Sequence, residues 1–397
     1  MNRELPETRG KAAAFAEQAA RRLVASLPVF QPPQSLSGGA AGIALLPIER
    51  ATSNPSDWPQ AHAWLSLAAS DDVTAEPAAC LFHGAPAIAF ALQPVHQPGC
   101  RQARGLLDQA VENVIRDRLA AAALRLQRGD RPALAEFDLI SGLTGLGAHL
   151  WRKDPHHRLI GDILRYLVRL TEPIDGLPGW WSLSPIQRNR PEPAGGHSNH
   201  GMAHGITGPL AFLSISSRAG RTAPGQRHAI DRILHWLDDW QQTHQGHPWW
   251  PETVSLRDVH RAHPEQHRPL RPSWCYGTPG IARAQQLAAL ALTDPDRQAT
   301  AEAAVTGCLT DPRQLNLITD RSLCHGTAGL YMTVSSLAAD ALSPLPDVAA
   351  DLLLKPFDTQ GEPPGFLAGT AGHALALHAL ASGEPPGTAW DTALLLR

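Results

Sequence analysis

Seven short apolar stretches recur along the chain, and each follows a Gly-x-x-Gly turn or a close variant of one. In the second copy Ala87 stands where the last glycine of the turn would be. In chain order, turns one to seven begin at Gly39, Gly84, Gly142, Gly205, Gly277, Gly326 and Gly369. Successive turns are separated by about 43 to about 72 residues, so the connecting loops vary in length while the unit persists. The pattern predicts one structural unit repeated seven times, each burying its apolar face against its neighbours.

Longer stretches with a polar face lie between the turns. Residues 156–171 repeat apolar side chains at the spacing of one helix face, namely Leu159, Ile160, Ile163, Leu164 and Leu167. The same kind of helix is predicted for residues 8–27, 58–69, 101–127, 225–243, 295–309 and 345–355. Strand-like alternation is almost absent. We therefore predict an all-α fold, seven inner and seven outer helices in a single domain of residues 1–397. The periodicity fits a closed ring or a straight α-solenoid.

Two long irregular segments interrupt the pattern, near residues 173–200 and 246–273. Loops of this length inside a compact domain are usually lids or binding loops. Each leads directly into a turn with reactive side chains, so we expect both to form a rim that covers a substrate. Histidines in these loops, such as His197 and His200, are expected to be solvated.

Composition excludes several functional classes. The chain is 43% hydrophobic and 18% charged with a net charge of −3, so no strong attraction to nucleic acid or an anionic membrane is expected. Five cysteines in 397 residues do not make a disulfide framework. The N-terminus lacks the apolar core of a signal peptide, and no run approaches the roughly 20 apolar residues of a membrane span. A cytoplasmic protein without a membrane span is predicted.

Reactive residues occupy equivalent positions when the turns are aligned on their first glycine. The residue directly before that glycine is His204 in turn four, Tyr276 in turn five and His325 in turn six. One position earlier stand Cys275 and Cys324. In a closed ring, equivalent positions of successive repeats lie on one rim, so these side chains are expected to meet at one mouth.

Two further charged residues and a metal belong to the same expectation. Asp138 lies four residues before turn three, and Arg271 lies six residues before turn five. Cys275, Cys324 and His325 form a ligand set that zinc takes readily, and three protein ligands leave a fourth tetrahedral position for substrate. The alternative is that the three side chains pack in the core, as cysteine often does. Their convergence on one rim favours the metal.

Other cysteines and histidines are expected to have structural roles. Cys80 and His83 precede turn two, well away from turns five and six in a closed ring. His373 directly follows turn seven and should face the apolar layer. Cys308 lies in an outer helix and Cys100 in a Pro/Gly loop, so neither is expected to take part in chemistry.

The sequence resembles the lanthionine synthetase C-like family, the lanthipeptide cyclases. Besides the seven turns, the resemblance rests on His200-Gly201-Met202-Ala203-His204-Gly205-Ile206-Thr207-Gly208-Pro209, Trp274-Cys275-Tyr276-Gly277 and Cys324-His325-Gly326. It covers nearly the whole chain and implies an (α/α) toroid of seven inner and seven outer helices. The early intervals are short, so the small inserted domain of some family members is not expected.

The resemblance also implies an activity and its residues. The family adds peptide cysteine thiols to dehydroalanine or dehydrobutyrine of the same peptide, which gives the thioether rings of lanthipeptide antibiotics. One Zn²⁺ per chain is implied, with the ligands Cys275, Cys324 and His325. The implied catalytic residues are His204 as acid/base, Asp138 as its partner, and Arg271 and Tyr276.

The implied substrate is a dehydrated precursor peptide with a leader and a core. A stand-alone cyclase is expected, working beside a separate dehydratase and an exporter that would bring it to a membrane surface peripherally. Two other functions remain open. One is a zinc-containing relative that binds glutathione or peptides, or acts as an adaptor, without catalysis. The other is a prenyltransferase-like toroid, although its zinc ligands usually include an aspartate and its isoprenoid pocket needs many aromatic residues.

Overall fold

The computed structural model describes residues 4–23, 32–185, 193–357 and 360–397. The end of the first predicted helix (24–27) and part of the first predicted rim loop (186–192) lie outside them. The described α-helices are α1 (Glu4–Arg22), α2 (Ala40–Ile43), α3 (Leu45–Ala51), α4 (Trp58–Ala68), α5 (Ala85–Leu92), α6 (Arg101–Arg128), α7 (Leu134–Phe137), α8 (Leu143–Lys153), α9 (Arg158–Leu170), α10 (Thr207–Arg218), α11 (Gln226–Asp239), α12 (Leu256–Arg261), α13 (Thr278–Leu292), α14 (Pro295–Thr310), α15 (Pro312–Leu315), α16 (Thr327–Asp340), α17 (Ala349–Leu354) and α18 (Thr370–Ser382).

The predicted all-α class is confirmed, and the two kinds of helix are as expected. Each turn leads into an apolar helix: α2 with α3, then α5, α8, α10, α13, α16 and α18. The stretches between turns form α1, α4, α6, α9, α11, α14 and α17. All of α5 is buried, whereas α9 buries one stripe and exposes Arg165 and Arg169. The apolar helices therefore supply most of the core, and the amphipathic helices cover it.

The glycines of the turns are explained by close approach of the backbone. A Cβ atom on Gly277 would lie 2.3 Å from the backbone nitrogen of Ser273, and one on Gly280 would lie 2.0 Å from the carbonyl oxygen of Trp274. The chain thus folds back across the first turn of the helix that it is about to enter. Since real Cβ atoms do not approach backbone this closely, glycine is required at both positions.

The chain divides into two compact units. The first comprises Met1–Val114, Ile318–Met332 and Asp347–Thr392, and the second comprises Ile115–Leu317, Thr333–Pro346 and Ala393–Arg397. In the first unit α1 packs along α18, and α18 also contacts α2, α3 and α17. The buried Glu49 of α3 accepts hydrogen bonds from the backbone nitrogens of Gly387 and Thr388, which fixes the segment after α18.

In the second unit α13 packs between α10 and α14, while α8, α9 and α11 pack in series. The C-terminal residues belong to this unit and are held by buried donors. The indole nitrogen of Trp274 donates to the carbonyl oxygen of Leu394, and Nε of Arg283 donates to that of Leu396. These bonds anchor the C-terminal residues to the segment before turn five and to α13.

Short strands that were not predicted lie in the two rim loops and, for one strand, just before the second loop. The strands are β1 (His197–Asn199), β2 (Gln242–His244), β3 (His247–Trp249) and β4 (Thr253–Ser255). β1 pairs antiparallel with β4, and β2 pairs antiparallel with β3. Three-residue strands are too short for an alternating pattern to be recognised. Among the described helices, none is both long and apolar enough to cross a membrane.

Candidate metal centre and active site

The residues predicted as metal ligands lie together. Cys275, Cys324 and His325 each offer one ligand atom, and these atoms are all within 4.8 Å of one another. Two ligands of one tetrahedral zinc ion lie roughly 3.5–3.8 Å apart, so the cluster needs little adjustment to hold one. Cys275 is buried, and Cys324 and His325 are partly exposed. Two thiolates and one imidazole, open to solvent on one side, fit a zinc site with three protein ligands.

Cys275 is positioned by the turn that precedes α13. Its carbonyl oxygen accepts a hydrogen bond from the backbone nitrogen of Ala203, the neighbour of His204. The hydroxyl oxygen of Ser273 accepts from the nitrogen of Gly277 and lies 3.7 Å from Sγ of Cys275. Ser273 can therefore donate its hydroxyl proton to the sulfur. The backbone bond places the cysteine beside the histidine of turn four.

Cys324 and His325 are held by a local hydrogen-bond network around Asp320. Oδ1 of Asp320 accepts from the nitrogen of Ser322, and Oδ2 lies 3.3 Å from Nε2 of His325. The backbone nitrogen of His325 donates to the hydroxyl oxygen of Ser322, and that of Cys324 donates to the carbonyl oxygen of Leu367. A carboxylate that orients the ring of a metal-binding histidine is a common feature of zinc sites. The sequence analysis missed Asp320.

His204 and Asp138 form a closely bonded pair. Nδ1 of His204 lies 2.6 Å from Oδ2 of Asp138, which is 1% exposed, whereas the histidine side chain is 38% exposed. The other oxygen of Asp138 accepts from the backbone nitrogens of Ser141 and Gly142. The carboxylate is thus fixed by turn three, and it orients the imidazole with a proton on Nδ1.

Tyr276 faces the same histidine. The two ring centres are 6.3 Å apart, and the tyrosine hydroxyl accepts a hydrogen bond from the side-chain nitrogen of Asn199 at 3.4 Å. Burial raises the pKa of Tyr276 to about 12, and the negative charges of Cys275 and Asp138 add to that effect. The phenol therefore keeps its proton at neutral pH and is available as a hydrogen-bond donor.

Glu252 is a second residue of this region that the sequence analysis missed. The pKa of Glu252 is raised to about 7. Burial is the largest cause, the charge of Cys275 acts in the same direction, and the positive charge of Arg271 acts against them. These interactions place the Glu252 carboxyl near both residues. Its backbone oxygen accepts from the nitrogen of His200. In the sequence, Glu252 stands out only because it follows Trp249 and Trp250, and that position does not indicate a chemical role.

The expectation that His197 and His200 are solvated is wrong. Both are fully buried. Nδ1 of His200 bonds to the carbonyl oxygen of Pro251, and its Nε2 accepts from the indole nitrogen of Trp236. Burial lowers the pKa of His200 to about 4, so its imidazole is neutral and serves as a structural link. Trp236 in turn makes an edge-to-face contact with Trp180.

The residues expected to be structural have that role. Cys80 and His83 bond to each other through their backbones. Burial lowers the pKa of His373 to about 4, and its Nε2 bonds to the carbonyl oxygen of Leu353. Burial raises the pKa of Cys308 to about 12, which makes it a poor nucleophile. All five cysteines are described, and none is in a disulfide.

Comparison with known proteins identifies the family and a similar fold. The profile of the lanthionine synthetase C-like protein family matches residues 31–395. The chain is 24% identical over 259 residues to the nisin biosynthesis protein NisC of Lactococcus lactis subsp. lactis, a match that covers 63% of this chain and 60% of that protein. The match thus spans less than two thirds of the relative.

A solved structure named nisin cyclase has a similar fold. It superposes with a TM-score of 0.77 at 21% identity, and the match covers 97% of this chain and 96% of that one. This likeness confirms the predicted fold class, an (α/α) toroid.

Proposed function

Since the chain belongs to the lanthionine synthetase C-like family, we propose that it is a zinc-dependent lanthipeptide cyclase. The reaction is the addition of a peptide cysteine thiol to a dehydroalanine or dehydrobutyrine in the same peptide. The observation that carries the proposal is the Cys-Cys-His cluster, together with the backbone bond that joins Cys275 to the segment of His204. One Zn²⁺ per chain would be held by Cys275, Cys324 and His325.

The metal and the residues around it have separate tasks. When bound, zinc supplies the Lewis acidity that turns a thiol, with an ordinary pKa of about 8.5, into a nucleophile at neutral pH. Ser273 donates to Cys275 and holds its sulfur in place, while Asp320 orients the ring of His325 so that Nδ1 can face the metal. The partial exposure of Cys324 and His325 leaves a path for a peptide side chain.

His204 is proposed to move the proton. A carbon–sulfur bond forms at the β-carbon, the π electrons of the alkene form a double bond between the α-carbon and the carbonyl carbon, and the π electrons of the carbonyl move to its oxygen. The resulting enolate then takes a proton at its α-carbon. Nδ1 of His204 bonds to Asp138, so Nε2 is the atom that exchanges the proton. The thiol gives up one proton and the α-carbon gains one, so the addition is balanced. Asp138 stabilises the imidazolium form of His204.

Tyr276 and Arg271 are proposed to stabilise the enolate oxygen. The phenol of Tyr276 stays protonated and is held near His204 by Asn199, so it can donate to the negative charge that develops. Arg271 is half-buried, and its positive charge acts on the Glu252 carboxyl, which the charge of Cys275 also affects. A fixed positive charge in a partly buried site favours an anionic intermediate.

Two observations favour a cyclase over the alternatives. A protein that only bound peptides or glutathione would have no use for a buried aspartate that orients a partly exposed histidine. A prenyltransferase-like protein would need an aromatic isoprenoid pocket, and the tryptophans of this region are buried in packing against one another. We infer a dehydrated precursor peptide as substrate, produced by a separate dehydratase.

The test is alkylation of thiols followed by mass spectrometry. The protein is incubated with a dehydrated precursor peptide, and each ring formed removes one thiol that N-ethylmaleimide would otherwise modify. We expect loss of alkylation with the natural protein and full alkylation with Cys275→Ala. Cys80→Ala, which changes a buried cysteine outside the cluster, is the matched control and should cyclise normally. Full alkylation with the natural protein would contradict the proposal.

A further inference from the structure

An exposed basic segment borders the candidate site. Residues 256–268, named here the basic segment, follow β4 and include α12. Its exposed charged and titratable side chains are Arg257, His260, Arg261, His263, Glu265, His267 and Arg268. The chain as a whole has a net charge of −3, so this concentration of positive charge is a local feature.

The second carboxylate of the segment does not offset that charge at the surface. Asp258 is buried and caps α12 by accepting from the backbone nitrogen and hydroxyl of Ser255. Its other oxygen accepts from the backbone nitrogen of Glu265. Exposed arginines therefore outnumber the exposed carboxylate three to one, with three exposed histidines beside them.

The segment is fixed to residues of the site at both ends. At one end β4 pairs with β1, which contains Asn199, the hydrogen-bond partner of Tyr276. At the other end the side-chain oxygen of Gln266 accepts from the backbone nitrogen of Glu252, whose carboxyl senses the charge of Cys275. The basic segment is therefore tied to the site through β1 at one end and through Glu252 at the other.

We propose that the basic segment binds an acidic stretch of the peptide substrate and so holds the peptide while its cysteines react. The proposal rests on the proposed function, because it takes a peptide as the substrate. Oppositely charged surfaces raise the rate of encounter and fix the direction of binding, and the effect is weakened by salt. The side chains needed are the three exposed arginines Arg257, Arg261 and Arg268.

The experiment measures fluorescence anisotropy of two short labelled peptides, one of alternating glutamate and serine and one with glutamine in place of glutamate. The test variant is Arg257→Gln/Arg261→Gln/Arg268→Gln. The control, Arg158→Gln/Arg227→Gln/Arg313→Gln, removes the same charge from exposed arginines outside the segment. We expect the test variant to weaken binding of the acidic peptide roughly tenfold and the control to change it by less than about twofold. The glutamine peptide should bind weakly to all three proteins.

Several results would overturn the proposal. One is equal weakening by the two triple variants, which would indicate only a general effect of net charge. Another is unchanged binding in the test variant. A third is that vesicles of phosphatidylglycerol and phosphatidylcholine sediment with the natural protein but not with the test variant, while both bind the acidic peptide equally. That result would assign the segment to a membrane surface.

The outcome is separable from that of the proposed function. Cys275→Ala should bind the acidic peptide normally, because it leaves the basic segment intact, yet fail to form rings. If the test variant binds the acidic peptide normally while Cys275→Ala loses cyclisation, only the proposal for the basic segment is rejected. If the peptide binds through the segment but the natural protein forms no rings, the proposal for the basic segment is supported and the proposed cyclase function is rejected.

Discussion

Turns two and six both place a cysteine and a histidine ahead of a glycine, but only turn six contributes to the metal cluster. In turn six Cys324 and His325 occupy the two positions before Gly326 and belong to that cluster. In turn two the backbones of Cys80 and His83 bond to each other in both directions, each at 2.9 Å. The same two residue types thus join a cluster that could hold a metal in one turn and close a local bridge in the other.

The path of the backbone explains the difference. Gly84 has a φ of +79°, in the left-handed region, and a Cβ there would lie 2.4 Å from the carbonyl oxygen of Thr74. Gly326 instead lies against its own turn, where a Cβ would be 2.2 Å from the nitrogen of Ser322. Whether a turn can place its cysteine and histidine in the candidate metal cluster therefore depends on the backbone path into the helix, in addition to the residue types that precede the helix.

The largest expected effect separates the two turns directly. Cys324→Ala removes one of two thiolates from the cluster, and the remaining pair of ligands is too few for a stable zinc site. We expect metal content to fall from one zinc per chain to nearly none and cyclisation to be lost. Inductively coupled plasma mass spectrometry on purified protein measures the metal. Cys80→Ala should retain both properties, and a loss of zinc there would break the comparison.

The next largest effect is expected in turn four, whose histidine, His204, is proposed to transfer a proton. His204→Ala should keep one zinc per chain and slow cyclisation by roughly 10²–10⁴-fold, the usual contribution of a general acid or base. The alkylation assay gives the rate. Cyclisation at the normal rate by this variant would exclude His204 from the mechanism.

A smaller effect is expected from Asp320, which turn six has and turn two lacks. Asp320→Asn weakens the orientation of His325, and the loss of such a carboxylate typically lowers metal affinity by about 10–100-fold. Competition with a zinc-chelating dye measures that affinity without any substrate. Glu76→Gln, an exposed residue ahead of turn two, is the control. Equal affinity in both variants would leave Asp320 without a role at the metal.

The buried His373 of turn seven provides a test by pH. Burial lowers its pKa from an ordinary value near 6.5 to about 4. Between those values the unfolded chain binds a proton that the folded chain does not, so the free energy of unfolding falls on acidification. The free energy of unfolding should fall between pH 7 and pH 5, and we expect this fall to be about 2 kcal/mol smaller in His373→Gln than in the natural protein. Thermal unfolding at both pH values measures this, and the exposed His228→Gln should leave the loss unchanged.

The smallest effect concerns the glycine that gives turn two its path. Gly84→Ala should destabilise the protein by about 1–2 kcal/mol, because of its positive φ and the contact with Thr74. Gly99→Ala, where an added Cβ has nothing within 4 Å, should change stability little. Zinc content should be normal in both. Reduced zinc in Gly84→Ala would mean that turn two contributes to the metal site after all.

Sequence reasoning was most successful where chemistry and local pattern coincide. Each apolar stretch after a turn and each polar-faced stretch contains a helix, and α6 and α14 match their predicted bounds to within one residue. The Cys-Cys-His set could be selected because its members stand one or two positions before a glycine turn. Both inferences use neighbouring positions, which a sequence displays directly.

What sequence reasoning missed depends on contacts between distant residues. His200 is buried by Pro251 and Trp236, respectively 51 and 36 positions away, so nothing near it in the sequence indicates burial. Glu252 owes its raised pKa to burial and to Cys275. Asp320 is close to His325 in sequence, yet only the fold of the turn shows that its carboxylate faces the ring.

The central claim is that Cys275, Cys324 and His325 together bind one zinc ion. X-ray absorption at the zinc edge tests it most directly, since the scattering distinguishes sulfur from nitrogen or oxygen. We predict two sulfur ligands at about 2.3 Å and two lighter ligands at about 2.0–2.1 Å in the natural protein. A zinc environment without sulfur, or with only one sulfur ligand, would contradict the account.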